Sequence, residues 1–324
     1  MTEASHSDVV EGSPEYADAM KPIIDQIAAV VRETGPIPGW KLSEALSDIP
    51  PISLWRACYV SQEIRIRNCA RYYLRYDVTR ENVLRLSPSI LRDFLTFSLI
   101  YLREQSVGAV EGGTLMANRF RNISLRKLSR ARQALLALEP ELQAELYQHC
   151  VVFLSGDIAY FLAHDTPRNH KTLDVPIKGS DIDLVIVTNN RADPEKIESI
   201  ENSLLKIKRQ YLISPNIREE LDFIVKPVER MLDQLSYRDI HEKIASKILY
   251  ESYFLMGRVD IYESLMTNLE MRGTRAKIEA DFEVALMERK NTIRKILSLM
   301  PEESVKDAEV ASLFFASQER LEFQ

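Results

Sequence analysis

Three short apolar stretches in the second half of the chain have the composition of buried strands. They are VVFLSG at 151–156, DLVIV at 183–187 and LDFIV at 221–225. Continuous apolar runs rich in β-branched residues are typical of strands that are covered on both faces. Between the last two runs lies ADPEKIESIENSLLKIKRQY, which predicts a helix with Asp193 as its N-cap and Pro194 at its first position. This pattern predicts a small mixed β-sheet.

The remainder of the chain has a mainly helical pattern. Helices are predicted from about Asp18 to Thr34 and from about Glu139 to Cys150, and residues 52–102 keep a helical pattern between them. The EGG at 111–113 is predicted to be a loop. After KPVERM the chain is predicted to be helical almost to its end.

These elements predict an α+β protein with three folded parts. Residues 1–18 form an acidic, polar tail that is expected to be disordered. A helical, arginine-rich domain is predicted at 19–148, a small core containing the sheet at 149–235, and a helical C-terminal domain at 236–324. The chain has 324 residues, 45% of them hydrophobic, which is sufficient for three hydrophobic cores.

Charge is distributed unevenly along the chain. Residues 51–132 contain 15 basic and 6 acidic side chains, whereas residues 1–50 contain 3 basic and 9 acidic ones. All but one of the basic residues in 51–132 are arginine, which suits bidentate contact with phosphate, so this segment is a candidate nucleic-acid surface. An acidic partner surface elsewhere in the same chain explains the pattern equally well, and both interpretations stay open.

The composition indicates an intracellular, reduced protein. The three cysteines (Cys58, Cys69 and Cys150) form no CxxC pair, and the acidic N-terminus is no secretory signal. The apolar run FLTFSLIYL is too short to span a bilayer. We therefore expect a cytoplasmic protein with no membrane partner.

Two carboxylates, Asp181 and Asp183, stand one residue apart where the second apolar run begins. Side chains at i and i+2 of a strand share one face, so these two acids should repel each other unless a cation lies between them. A third acid, Asp222, begins the next apolar run. Together the three could hold two Mg²⁺ ions, which prefer hard oxygen ligands and would clamp an in-line displacement at phosphorus. Asp222 would complete the metal that activates the acceptor hydroxyl.

A small-residue turn precedes this acidic pair. Ser155 and Gly156 end the first apolar run and lead into DIAYFLAH, which is predicted to be a helix. A turn without large side chains lets backbone N–H groups approach a phosphate closely. The sequence therefore predicts a nucleotide site made of this turn and the three acids.

The ordered combination of turn, Asp-x-Asp and later single Asp resembles the DNA polymerase β-like nucleotidyltransferase superfamily, and most closely the AbiEii-type toxin and defence nucleotidyltransferases. IASKILYESYFLMGRVDIYE at 244–263 is similar to a helix of that group, which implies that Lys247 reaches the triphosphate and that Asp260 is a secondary polar position. Lys178 and Ser180 are similar to the basic-x-Ser that precedes Asp-x-Asp there. The resemblance covers about residues 150–265, and 149–235 would be the nucleotidyltransferase core.

Two departures from the family pattern stand beside the turn. Asp157 lies where a small hydroxyl or apolar residue is more usual. The segment HDTPRNHKTLDVP lengthens the gap between Gly156 and Asp181, and His164, His170 and Asp165 within it suggest zinc only weakly. The implied nucleotide-binding residues are Ser155, Gly156, Lys178, Ser180 and Lys247, and the implied catalytic metal ligands are Asp181, Asp183 and Asp222.

The resemblance implies an enzyme that transfers a nucleoside monophosphate from an NTP, such as ATP, to an acceptor in the presence of Mg²⁺. The basic segment favours an RNA acceptor such as a tRNA end, and a protein side chain is the alternative acceptor. A toxin or phage-defence role, with an antitoxin or regulatory partner, follows from the resemblance alone. A non-catalytic binding or regulatory protein with this fold is the competing interpretation.

Overall fold

The computed structural model describes residues 14–76, 84–170, 173–299 and 314. The helices are α1 (Pro14–Thr34), α2 (Gly39–Ala45), α3 (Pro51–Val60), α4 (Ile90–Phe97), α5 (Ser106–Leu136), α6 (Pro140–His149), α7 (Pro194–Ile213), α8 (Val228–Gln234), α9 (Ile240–Tyr250), α10 (Val259–Met271) and α11 (Thr274–Ser298). The strands are β1 (Ile37–Pro38), β2 (Ile64–Asn68), β3 (Tyr73–Tyr76), β4 (Leu84–Ser87), β5 (Ser98–Leu102), β6 (Cys150–Ser155), β7 (Pro167–His170), β8 (Leu173–Lys178), β9 (Ile182–Thr188), β10 (Leu221–Pro227) and β11 (Tyr253–Gly257). The α+β class predicted from the sequence is confirmed.

The described residues fall into two compact units. The first unit contains residues 14–73, 85–118, 284–299 and 314, and the second contains residues 74–76, 84, 119–170 and 173–283. This division differs from the predicted boundaries at 148 and 235, because the chain changes unit inside the long helices α5 and α11. Hydrophobic periodicity within one continuous helix carries no mark of such a change.

The first unit contains strands where the sequence predicts helix. Strands β1, β5 and β2 form a three-stranded antiparallel sheet, so the prediction of a purely helical domain at 19–148 is wrong. In β2, Ile64 and Ile66 are buried while Arg65 and Arg67 alternate with them. That alternation has a period of two, which indicates a strand, but it is only five residues long and lies within a longer apolar and aromatic segment.

The predicted loop at 111–113 is also wrong, because Gly112 and Gly113 lie inside helix α5. A Cβ atom at Gly112 would lie 2.9 Å from a methyl carbon of Leu99, and one at Gly113 would lie 2.7 Å from Nε of Arg67. The glycines therefore let the helix approach β5 and β2 closely. Their propensity disfavours helix, but this packing outweighs it.

A buried ion pair lies at the centre of the first unit. The Arg289 guanidinium donates to Oδ2 of Asp93 at 2.8 Å and to the carbonyl oxygen of Pro88 at 2.8 Å. The same Asp93 oxygen accepts hydrogen bonds from the Tyr72 hydroxyl at 2.6 Å and from the Asn68 amide at 3.1 Å. Asp93 and Arg289 are only 6% and 8% exposed, so each depends on the other for neutralisation.

Replacing Asp93 by alanine should lower the free energy of unfolding by about 3–5 kcal/mol, because Arg289 would keep a buried, uncompensated charge. Urea denaturation measures this change. Asp25→Ala, on the exposed side of α1, is the control and should change the value by less than about 0.5 kcal/mol. Equal effects of the two substitutions would contradict the assignment.

The second unit is built on a four-stranded mixed sheet in the order β10–β9–β6–β11. Strands β10 and β9 are parallel, whereas β6 is antiparallel to both β9 and β11. The three strands predicted from the apolar runs are therefore confirmed. Strand β11 corrects the prediction of an entirely helical region after residue 236, because Tyr253–Gly257 adds to the edge of the sheet beside β6.

Helix α7 is confirmed, with the Asp193 side chain accepting the backbone N–H of Glu195 and Pro194 at its first position. The predicted helix after Gly156 is wrong, because only a 3₁₀ turn at Gly156–Ile158 forms and Phe161 takes a positive φ of 58°. Residues 1–13 of the predicted tail lie outside the described residues, but α1 already begins at Pro14. In the part of the chain that the structure describes, no helix has the length and apolar character needed to span a bilayer.

Candidate functional site

Three of the residues predicted to form the site, Ser155, Asp183 and Asp222, meet at one end of the strands of the four-stranded sheet. Asp183 of β9 lies in register with Asp222 on the parallel strand β10 and with Ser155 on the antiparallel strand β6. Residues in register on neighbouring strands point to the same face. The end of β6 and the beginnings of β9 and β10 therefore meet there, as the order of motifs along the chain predicts.

The Ser155-Gly156 turn lies directly against Asp183. Gly156 has a φ of 71°, a left-handed conformation that favours glycine, and a Cβ atom there would lie 3.3 Å from Oδ2 of Asp183. A larger residue at position 156 would therefore combine backbone strain with crowding against the carboxylate. The turn and the acid form one site.

The Asp183 carboxyl group is held in an environment that opposes its charge. Burial raises its pKa to about 6, the negative charge of Asp222 and that of Asp157 raise the pKa in the same direction, and Arg75 and Lys247 oppose them. A carboxylate with this surplus of negative neighbours is a place where an added cation would be stabilised.

Three other carboxylates form a compact group of oxygen atoms. One oxygen each of Asp181, Glu220 and Asp222 lie within 4.8 Å of one another, and this is the one such acidic or mixed group found among the described residues. Hard oxygen donors at this spacing fit Mg²⁺ or Mn²⁺. Asp183 lies outside this group, and Glu220 belongs to it although the sequence analysis did not select it. Glu220 and Asp222 repeat the i, i+2 spacing of Asp181 and Asp183, and that repetition was the available signal.

Two basic side chains contact this carboxylate group. The Arg168 guanidinium pairs with Asp181 and donates to Oε2 of Glu220 at 2.7 Å, and its Nε donates to the carbonyl oxygen of Gly179 at 2.9 Å. Lys208 of α7 pairs with Asp222. Arg168 lies in the segment that lengthens the gap before Asp181, so this segment, which contributes strands β7 and β8, supplies a cation to the site.

The backbone N–H group of Gly156, which is predicted to bind phosphate, donates a hydrogen bond to a carboxylate of the protein. Glu251 accepts a hydrogen bond from it and lies 2.5 Å from Nζ of Lys247 and 3.3 Å from the hydroxyl of Tyr160. Both Lys247 and Glu251 are buried. Burial raises the pKa of Glu251, whereas the charge of Lys247 lowers it. Lys247 therefore lies beside the turn, and an anionic side chain is bound to both of them.

The residues that lead into Asp181 are held by internal bonds. The buried Ser180 hydroxyl donates to Oδ2 of Asp157 at 2.6 Å and accepts the backbone N–H of His164 at 3.2 Å. The N–H of Lys178 donates to the carbonyl oxygen of Arg218 at 2.7 Å. Asp157, which departs from the family pattern, therefore has a defined role in anchoring Ser180.

Asp260 does not belong to this site. It is exposed at the start of α10, where it pairs with Arg258. The backbone N–H of Arg258 donates to the carbonyl oxygen of Cys150, which begins β6, whereas the acids lie beside Ser155 at the end of that strand. Similarity to a helix of another family did not reveal this, because α9 and α10 are separated by strand β11.

Much of the basic charge predicted for a nucleic-acid surface is buried or paired. Arg56, Arg92 and Lys127 are 2%, 5% and 0% exposed, respectively. Arg126 contacts Asp165, and Arg130 contacts Glu219. The exposed basic residues in the second half of α5 are Arg119, Arg121, Arg126 and Arg132. The interpretation that acidic groups of the same chain match part of this charge is therefore supported.

No protein-family model matches this chain, and a search of curated proteins finds no relative.

Asp183→Asn should stabilise the metal-free protein at pH 8, by about 3 kcal/mol, because the wild-type carboxyl group has its pKa raised to about 6 in the fold. A raised carboxyl pKa makes the folded wild type bind protons more tightly than the unfolded chain, so its relative stability falls as pH rises from about 4 to about 6. The difference between variant and wild type should disappear at pH 4. Thermal unfolding in EDTA at both pH values measures it.

Asp260→Asn is the control for this prediction. Its carboxylate is exposed, and pairing with Arg258 lowers its pKa, so its replacement should not raise the melting temperature at pH 8. If the difference in melting temperature between Asp183→Asn and the wild type were the same at pH 4 and pH 8, this would contradict the assigned environment of Asp183.

Proposed function

We propose that this chain is a nucleotidyltransferase of the DNA polymerase β-like superfamily that depends on Mg²⁺. The observation that carries the proposal is the register of Asp183 between Ser155 and Asp222, with the Gly156 turn against its carboxylate. The reaction is transfer of a nucleoside monophosphate from an NTP to an acceptor, with release of pyrophosphate. A role as a toxin or defence enzyme rests on the AbiEii-type resemblance.

The acidic residues would have separate tasks in this reaction. Asp181, Asp183 and Asp222, with Glu220, would hold the two Mg²⁺ ions, which supply positive charge where the triphosphate is attacked. Asp222 would accept the proton of the attacking hydroxyl as the new bond from oxygen to the α-phosphorus forms. The bond from that phosphorus to the pyrophosphate oxygen breaks in the same displacement. Lys247 and the Gly156 N–H would bind the triphosphate.

Labelled NTPs test the reaction directly. Purified protein is incubated with each α-³²P-labelled NTP, Mg²⁺ and total cellular RNA, beside Asp181→Ala and Asp222→Ala. We expect label on a discrete RNA, reduced by about 100-fold or more in both variants because carboxylate ligands are lost. Asp260→Ala is the matched control, since that exposed aspartate lies at the other end of β6, and it should keep full activity.

The acceptor class is read from the same gel. The exposed arginines of α5 favour RNA, and an RNA acceptor also predicts association that weakens steeply with salt. Label on protein would keep the nucleotidyl transfer and change the acceptor. If a folded protein transfers no label from any NTP, the proposed enzymatic activity is wrong.

One observation favours a second candidate, a non-catalytic binding or regulatory protein. Arg168 and Lys208 already neutralise the carboxylate group that would bind metal. A cluster satisfied in this way can be purely structural. Binding of Mn²⁺ by the wild type, lost in Asp181→Ala, distinguishes the two, because the structural interpretation predicts no metal binding at these residues.

The proposal requires Glu251 to give up its contacts when nucleotide binds. The carboxylate occupies both donors assigned to the triphosphate, the Gly156 N–H and the Lys247 ammonium group. A triphosphate bound at these donors would be repelled by the negative charge of the Glu251 carboxylate inside the fold. Nucleotide binding is therefore a competition with a carboxylate of the protein itself.

Glu251→Gln should tighten the binding of inorganic tripolyphosphate by about tenfold, because it removes the competing negative charge and keeps the side-chain shape. Isothermal titration calorimetry in EDTA measures the dissociation constant. Glu242→Gln is the control, because Glu242 also belongs to α9 and pairs with a basic residue, the exposed Arg238 just before that helix. Weaker binding by Glu251→Gln would mean that Glu251 holds Lys247 in place and does not compete.

A further inference from the structure

Lys127 of helix α5 is a completely buried lysine next to the carboxylate group. Its ammonium group lies 3.3 Å from Oε1 of Glu219, which is also completely buried. The same group donates to the carbonyl oxygen of Ser180 at 2.8 Å and lies 3.5 Å from that of Lys178. All of these residues belong to the second unit.

These contacts join the two segments that carry the proposed metal ligands. Ser180 immediately precedes Asp181, and Glu219 immediately precedes Glu220. The two segments are also linked by the Ile182 N–H, which donates to the carbonyl oxygen of Glu220 at 2.9 Å. One ammonium group therefore fixes both chain segments at the position where their carboxylates meet.

Stability alone does not account for a buried pair in this place. Desolvation of two charges costs several kcal/mol per ion, and apolar residues of similar volume are often as stable or more so. Glu219 has further basic neighbours, Arg130 in contact and Arg126 at 3.8 Å, so its charge is compensated even without Lys127. What Lys127 adds is the hydrogen bond to the carbonyl oxygen of Ser180.

We propose that Lys127 and Glu219 are positioning residues that set the spacing of Asp181 from Glu220 and so the affinity of the site for a divalent cation. This inference rests on the proposed function, which requires metal binding at these carboxylates. Neither side chain is proposed as a ligand of the metal or the nucleotide. They act through the backbone of Ser180 and through the residues just before β10.

The test combines two measurements on the full chain. Mn²⁺ binding is titrated by electron paramagnetic resonance, and hydrogen exchange is followed in peptides covering 178–184 and 217–222. The variants are Lys127→Met, which leaves Glu219 compensated by Arg130 and Arg126, and the double variant Lys127→Met/Glu219→Gln, which removes both charges and keeps an amide oxygen as an acceptor for Arg130. Arg289→Met is the control, because it breaks a buried ion pair in the first unit, which does not contain these carboxylates.

We expect Mn²⁺ affinity to fall by about tenfold in both Lys127 variants, with faster exchange in the two peptides and unchanged exchange in β6. Arg289→Met should keep the affinity of its folded fraction. Unchanged affinity and unchanged exchange in the folded double variant would overturn the positioning role. If the wild type binds no Mn²⁺, the proposed metal chemistry is wrong. The comparison of hydrogen exchange alone would then decide whether Lys127 orders the two segments.

Discussion

Repulsion among carboxylates at one edge of a small sheet is the constraint on which the second unit depends. Parallel pairing of β9 and β10 brings their first residues to the same edge, so Asp181, Glu220 and Asp222 meet there. Such a group folds only with positive charge beside it. Arg168 and Lys208 supply that charge from β7 and α7.

The same edge also contains a place for an anion. The N–H of Gly156 and the ammonium group of Lys247 hold the Glu251 carboxylate. A Cβ atom added to Gly156 would lie 3.3 Å from Oδ2 of Asp183. A group of carboxylates and a pair of donors that hold a carboxylate therefore lie near the same ends of the strands. Side chains of the protein supply the opposite charge in both places.

The sequence was sufficient for the three strands and for the shared face of Asp181 and Asp183, because apolar runs and i, i+2 spacing are local properties. That Asp222 lies beside Asp183 depends on the parallel pairing of β9 with β10, which the sequence analysis expected only from a resemblance. It was insufficient for Glu220, whose place was recognisable only by comparing the two strand beginnings. The sequence analysis also placed Asp260 in the site, whereas the structure places it near the start of β6. The similarity of residues 244–263 to one helix does not indicate which end of β6 Asp260 lies beside.

Local pattern thus determined the apolar strands, the capped helix α7 and the candidate acids. Tertiary structure decided which basic residues are available to a partner. The sequence does not show that Lys127 and Lys208 are each paired with a carboxylate, Glu219 and Asp222 respectively. It also decided that Gly112 and Gly113 lie in a helix, since contact with a neighbouring strand outweighs propensity. The physical reason is the same in each case: burial and ion pairing depend on residues that are distant in sequence, and periodicity reports only on near neighbours.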